Sequence, residues 1–401
     1  MLPKAIIAGA FQTGVLSVRN LQKRGVDAYC FDSDERLQGF RSVYGPALLC
    51  PNPDADSEGW LQFMLELADD LGEQAVVIPS SDRYVLALAR HKDRLAKHFL
   101  ISPGIDLQGQ LALKQTQYRL ALDHGMPMPR TTMAKGRGDI ESFAAGAKYP
   151  CLLKPWHFRE WENFPDGHPL LNQKVGIAHS ASELLDLYEL ARPANPEMIA
   201  QEIIQGPDTN KRVYVGCYDA SGKRIANAMF KELRCVPTGF GPATVSEPVD
   251  DPEADAVCNA FLETIGYSGI CEIEVKRDAD DGMVKLIEAN PRLSGGGDAA
   301  PYAGVDLVWI HYQDMIGRTQ EYVSPSGKMF KHIVVRSEGA AVPAYMRAGL
   351  LSWRELFASY KPPLAFFDLD LRDWKISLEN LAVCLRQLLS GLFGRPRNKV
   401  D

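Results

Sequence analysis

The stretch Val284 to Gly297 reads VKLIEANPRLSGGG. Four residues of strand-forming character, Val284 to Ile287, run straight into Glu288, Asn290 and Arg292. Alternate residues of a strand share a face, so Glu288 and Asn290 point the same way. A carboxylate beside an amide oxygen is a hard oxygen set of the kind Mg²⁺ takes, with phosphate and water completing its shell. Arg292 falls on the same parity if the strand extends that far, and its planar fork suits phosphate or carboxylate. A second apolar strand upstream, Ile270 to Val275, places Glu272 and Glu274 on one face. Two like charges there repel, so at least one needs a cation beside it. Glu272 either takes part in such a site directly or pairs with a lysine or arginine.

The rest of the chain must position these groups. Residues 1–110 read as a small α/β domain. Ala5–Ala8 is a buried strand, then come Gly9, Gly14, a helix to about Arg24 and a strand Val26–Phe31 ending at Asp32. That β-α-β order matches a nucleotide-binding unit. The glycine pattern GAFQTG lacks the full G-x-G-x-x-G, so packing is its first reading and dinucleotide binding its second. Ala75–Ile78 is a further strand, and Ser80, Ser81 or Asp82 either caps the next helix or faces a ligand.

Residues 111–200 hold a connector helix, about Leu111 to His124, and a compact lobe. Lys114 lies near the helix start, where a cation opposes the helix dipole. It is either an ordinary surface lysine or has a further role. The apolar run YPCLLKP ends in Lys154, and an ammonium at the end of a buried strand usually faces an anion. The irregular segment Trp156 to Gln173 has the length of a lid or binding loop. His157 within it is a polar loop residue or touches ligand. Residues 201–335 form the largest unit and carry both acid-bearing strands. Lys231 and Arg234 precede a glycine-containing loop there, holding a phosphate or carboxylate or pairing with Glu232.

The extension 336–401 ends in an amphipathic pattern, Leu378, Leu381, Leu385, Leu388, Leu389 and Leu392 at helical spacing, and then a basic tail. Packing on the body, a homodimer contact and a peripheral membrane contact through residues 376–399 are all compatible with it.

Composition narrows the class. The 401 residues are 46% hydrophobic and 24% charged, ordinary globular values that allow a sizeable core. A formal charge of −7 argues against general affinity for nucleic acid. Eight scattered cysteines without CxxC spacing fit reduced thiols better than a disulfide frame or zinc site. No apolar run reaches the roughly 18 to 20 residues of a membrane span. The expectation is a cytoplasmic α/β protein, with the inner face of the membrane as an alternative setting.

Taken in order, YPCLLKP, QEIIQGPDTNKR and EANPR resemble the motifs of the ATP-grasp superfamily, in its carboxylate–amine ligase branch. The resemblance covers roughly residues 1–335 and implies an ATP-grasp fold behind a Rossmann-like pre-ATP-grasp domain. It implies ATP and Mg²⁺, with Mn²⁺ as a substitute. Lys114 and Lys154 match the lysines on the α- and β-phosphates, and Lys174 is counted with them. Gln201 to Ile204 matches the hinge between lobes, where the main chain of Glu202 and Ile204 reads adenine. Gln201 departs from the glutamate common at that position. Asp208 matches the acid on the ribose hydroxyls. Glu274, Glu288 and Asn290 match the metal ligands, and Arg292 an arginine near the γ-phosphate. The implied reaction joins a small-molecule carboxylate to an amine through an acylphosphate, releasing ADP. Phosphoryl transfer needs positioning and charge neutralisation, which these cations would supply. Carboxylation, thioester formation and a catalytically inactive ATP-binding regulator are the alternatives.

Overall fold

The structure, a computed structural model, describes residues 2–393 apart from 46, 157, 172, 319 and 320. His157 and the basic residues 395–399 therefore lie outside the described residues. The chain divides into two compact units by internal contacts. The first comprises Met1–Gly109, Pro207–Glu274 and Asn290–Asp401, the second Gln110–Gly206 and Val275–Ala289.

In the first unit, β1 (Ala5–Ala8), β2 (Ala28–Asp32), β3 (Leu48–Leu49), β4 (Ala75–Pro79) and β5 (Phe99–Ile101) make a parallel sheet. Its order is β3-β2-β1-β4-β5. Every residue of β1 and β4 is buried, which is why both read as unbroken apolar runs without alternation. The winding reverses between β1 and β4. The loops leaving those two strands, at Gly9 to Phe11 and Ser80 to Asp82, thus border the place where open parallel sheets bind ligands.

The second unit is built on β6 (Thr131–Ala134), β7 (Cys151–Pro155), β8 (Gly176–Ala178) and β9 (Met198–Glu202). They form an antiparallel sheet in the order β6-β9-β7-β8. Ile140, Phe143, Leu184 and Tyr188, from the helices Arg137–Ala144 and Ala181–Ala191, pack with Cys151, Leu153, Met198 and Ala200 of the sheet.

A seven-stranded sheet follows: β10 (Lys211–Tyr218), β11 (Arg224–Cys235), β12 (Ala243–Pro248), β13 (Gly269–Arg277), β14 (Val284–Asn290), β15 (Lys331–Ile333) and β16 (Leu364–Phe366). Its order is β14-β13-β10-β11-β12-β15-β16. Residues beyond 330 thus supply its last two strands, with β15 and β16 parallel to each other. One apolar core in the first unit joins Ile7, Val76 and Ile78 of the parallel sheet to Val213, Val215, Ala228 and Ile270 of the larger one.

Three local features differ from or add to the sequence reading. The helix expected from Leu111 to His124 is two helices, Ile105–Ala112 and Lys114–Asp123, parted at an extended Leu113. The Thr116 hydroxyl donates to the Leu113 carbonyl at 3.0 Å and the Gln117 amide to the Leu111 carbonyl at 2.8 Å. These side chains occupy carbonyls that a continuous helix would use. The glycine run after Arg292 forms 3-10 turns, Gly295–Ala303. A Cβ on Gly296 would sit 2.1 Å from the Glu272 carboxylate, so this glycine permits close packing.

The third concerns the helix Trp374–Phe393. Its leucines are divided, with Leu388 and Leu392 half-buried and the other four exposed. Leu378, Leu381, Leu385 and Leu389 are 44–56% exposed, and the opposite face, with Ile376, Asn380 and Cys384, is turned inward. That inner face meets the helix Val335–Arg347, where Gly339 lies against the Cys384 backbone and Gly391 against Pro343.

Candidate active site

In the second unit, Lys114 is the first residue of its helix and forms an ion pair with Glu288 of β14. The pair explains how a lysine is tolerated at the positive end of a helix dipole. The same helix is pinned to β14 by Gln117, whose amide oxygen accepts from the Ala289 N–H at 3.2 Å. Its neighbour Tyr118 is fully buried and donates to the Ile287 carbonyl at 3.3 Å.

Lys154 occupies the only half-buried position of β7. Its ammonium donates to the Gln201 amide oxygen at 3.1 Å and to the Tyr118 hydroxyl, and lies 4.6 Å from the Tyr118 ring centre. The Gln201 amide nitrogen in turn donates to Thr131 at 2.8 Å, which fixes the orientation of the amide. Among the described residues the partners of Lys154 are neutral. Its charge is held in place and is not cancelled by a carboxylate.

The Glu202 N–H donates to the Arg130 carbonyl at 2.9 Å, and its carboxylate accepts from the Lys148 N–H at 2.9 Å. The Ile204 carbonyl accepts from Lys276 at 2.9 Å. Lys174 is exposed just before β8.

In the first unit, a chain of polar groups runs along the end of β14. The Asn290 amide nitrogen donates to Glu272 at 3.1 Å, and its amide oxygen accepts from Arg292 at 3.2 Å. Arg292 then meets Asp82 with two hydrogen bonds, at 2.6 and 3.2 Å. Ser81 occupies the N-cap position of the helix Asp82–Leu95, yet neither its hydroxyl nor another side chain caps that helix. Glu272 is buried and Glu274 half-buried on β13. Asp298, fully buried, accepts from Thr13 at 2.8 Å, and burial holds its carboxyl well above the usual range.

Asp208 sits in a buried network. Lys211 lies 3.2 Å from both Asp208 and Glu232, and the Tyr345 hydroxyl donates to Asp208. Burial acts to raise the Asp208 pKa, but Lys211 and Tyr345 outweigh it and hold the group below the carboxylate range. Burial pushes Glu232 up to about 7 against the pull of Lys211.

Of the two sequence readings of Lys231 and Arg234, pairing with Glu232 is not what forms. Lys231 and Glu232, adjacent on the strand, face opposite sides, and the ladder is irregular between Glu232 and Arg234. Lys231 instead meets Glu247 across the β11–β12 ladder at 2.7 Å, and Lys331 joins the same carboxylate. Two lysines on one carboxylate leave a net positive charge. Arg234 is buried and donates from Nε to Glu338 at 2.8 Å, a carboxylate that also accepts from Tyr360 at 2.6 Å and Thr244 at 2.5 Å. Arg234 therefore anchors its strand.

The oxygen groups expected to hold a metal fit one chemically. Glu274, Glu288 and Asn290 offer hard oxygens, and two of them already draw cations, Lys114 on Glu288 and Arg292 on Asn290. Among the described residues no three His, Cys, Asp or Glu side chains are grouped as a ready cage. Mg²⁺ characteristically binds through one or two carboxylates together with substrate phosphates.

Tyr118, Gln117, Lys211 and Asp82 were not singled out as site groups by the sequence, or only as one of several alternatives. Tyr118 and Gln117 carry no signal beyond one polar turn of helix. Lys211 is signalled only by its place three residues after Asp208.

Comparison with known proteins completes the picture. Residues 231–337 match a family described as ATP-grasp in the biosynthetic pathway with Ter operon. The chain is 26% identical over 274 residues to a D-aspartate ligase of Enterococcus faecium, spanning 64% of this chain and 63% of that protein. It is 24% identical over 296 residues to a D-alanine–D-alanine ligase of Pseudomonas fluorescens, covering 70% of this chain and 76% of that one. In structure it is similar to N5-carboxyaminoimidazole ribonucleotide synthetase bound to ADP, with a TM-score of 0.63 at 16% identity over 87% of this chain and 86% of the other. A biotin carboxylase of Campylobacter jejuni gives a TM-score of 0.59 at 16% identity, over 79% and 71%. The fold is thus that of the ATP-grasp structures it resembles, and over the matched residues the chain is similar to ATP-grasp ligases, D-aspartate ligase among them.

Proposed function

We propose that the protein is an ADP-forming, ATP-dependent carboxylate–amine ligase acting in the cytoplasm on small-molecule substrates. The observation that carries this reading is Lys154, an ammonium fixed by Gln201 and Tyr118 with neutral partners among the described residues. A charge held ready in that way suits a phosphate. The likeness to two ligases that join amino acids supports the amide-forming class.

The residues take the following roles. Lys154, Lys114 and Lys174 neutralise the phosphates of ATP, and the main chain of Glu202 and Ile204 reads the adenine edge. Asp208 serves the ribose, through the network that Lys211 and Tyr345 hold in place. Glu274, Glu288 and Asn290 would hold Mg²⁺, which when bound screens the phosphate charge and so favours phosphoryl transfer. Arg292, oriented by Asp82, receives the substrate carboxylate and the charge that develops on it. Lys231 assists with its partly uncancelled charge, and Arg234 keeps its strand in register. The carboxylate oxygen takes the γ-phosphoryl group and ADP leaves. The amine nitrogen then attacks the acyl carbon, the C–O bond to phosphate breaks, and the amine loses a proton.

The test is an ADP-release screen across pairs of amino acids and related acids, with mass spectrometry of the product. Turnover that needs both an acid and an amine supports the reading. ADP release with bicarbonate alone would move the assignment to carboxylation, the reading favoured by the fold of the N5-carboxyaminoimidazole ribonucleotide synthetase. Unchanged turnover in Lys154→Ala and Glu288→Ala would overturn the assigned site.

A further inference from the structure

The helix Trp374–Phe393 has two apolar faces, and only one is covered. Trp374, Leu378, Leu381, Leu385 and Leu389 recur at helical spacing along its outer side, and Leu371 just before it is 98% exposed. Among the described residues nothing covers this stripe.

The charges around it are sorted. The acids of this region are all engaged by partners. Asp370 pairs with Arg19 at 2.6 Å and accepts from Tyr44, Asp373 is buried on Ser42 and the Val43 N–H, and Glu379 pairs with Arg41 at 2.8 Å. The cations Arg372, Lys375 and Arg386 stay exposed. Lys375 and Arg386 are eleven residues apart, which places them on one flank of the stripe three turns from each other. The sequence beyond the described residues adds Arg395, Arg397 and Lys399 against Asp401. An exposed leucine stripe opened by a tryptophan, with a flank where Lys375 and Arg386 outnumber the single, ion-paired Glu379, is the pattern of a helix lying in the plane of an anionic lipid surface. A second copy of the chain is the weaker occupant, because a two-fold contact through this face would bring like charges toward each other.

We propose that the outer face of this helix docks the protein on an anionic lipid surface. The proposal does not depend on the ligase reading. Sedimentation with phosphatidylglycerol-containing vesicles and with pure phosphatidylcholine vesicles tests it. The full chain is expected to pellet with the first, less at high salt, and to stay largely soluble with the second. Lys375→Gln with Arg386→Gln should weaken binding on the order of twenty-fold, at about fivefold per cation. Leu381→Glu with Leu385→Glu should abolish it, with only a small change in the urea midpoint because both leucines are about half exposed. Absence of pelleting with anionic vesicles overturns the proposal, as does pelleting indifferent to lipid charge or to the paired cation variant. A dimer in light scattering that Leu381→Glu with Leu385→Glu converts to monomer would assign the face to a second copy instead.

Discussion

Arg292 meets Asp82 through two hydrogen bonds, Nε to one carboxylate oxygen at 2.6 Å and a terminal nitrogen to the other at 3.2 Å. The fork is thereby aimed from a residue 210 positions away in the chain. Because the carboxylate of Asp82 sets its direction, Asp82→Ala is expected to lower kcat about tenfold in an ADP-release assay, with little change in the KM for ATP. Arg292→Lys keeps the charge but loses the planar fork, and a fall of about a hundredfold is expected. A lysine variant with normal turnover would remove Arg292 from the reaction.

Gln201 and Tyr118 hold Lys154 jointly, so they can be separated by substitution. Gln201→Leu removes the acceptor at 3.1 Å and is expected to raise the KM for ATP about tenfold. Gln201→Glu restores an acceptor and should retain most binding. Isothermal titration with a non-hydrolysable ATP analogue distinguishes the two. If Gln201→Leu bound the analogue as the native chain does, the orienting role would be lost.

Lys211 is buried between two carboxylates, and removing it strands both. Lys211→Met should destabilise the chain by about 3–5 kcal/mol in urea unfolding. The exposed pair Lys92–Asp106 is a control, and Lys92→Met should leave the urea midpoint unchanged. Equal effects at the two positions would contradict the burial argument.

Stability should also fall in mild acid. His311 and His332 are fully buried, and burial lowers each pKa from 6.5 to about 4. The fold holds both rings neutral, whereas the unfolded chain takes up protons as the pH drops through 6.5. Unfolding free energy therefore declines between about pH 6.5 and 4, by up to roughly 1.4 kcal/mol per pH unit for each ring. His311→Gln with His332→Gln should flatten that slope in urea titrations. An unaltered slope would show that other groups set it.

Much of this arrangement can be read from residue patterns, and the limits are physical. β1, β4, β13 and β14 announce themselves because buried parallel strands and acid-ended strands have distinctive compositions. Lys154 is legible because a cation closes an apolar run. Its holders are not, since Tyr118 lies 36 residues away and Gln201 lies 47, and neither spacing has a local signature. The region after residue 335 is opaque for another reason. Pro343 sits inside the helix Val335–Arg347, and β15 and β16 are three residues each, too short to show alternation. The leucine periodicity of the last helix does report a helix, but periodicity does not tell a buried face from an exposed one. Glycines at 339 and 391, which let the other face approach its neighbour, decide that.

The interleaving of the two units also bears on how the chain is made. The second unit ends at Ala289, although most of it is complete by Gly206, and the first needs β15 and β16 near residues 331 and 364. A ribosome adding about 5–20 residues per second would take roughly 8 to 30 seconds to pass from Gly206 to Phe366. During that interval β10 and β11 emerge before the strands that close their sheet. Strand edges are then open to pairing with other chains, so yield of native protein should be sensitive to synthesis rate and to chaperone supply, even where the finished fold is stable.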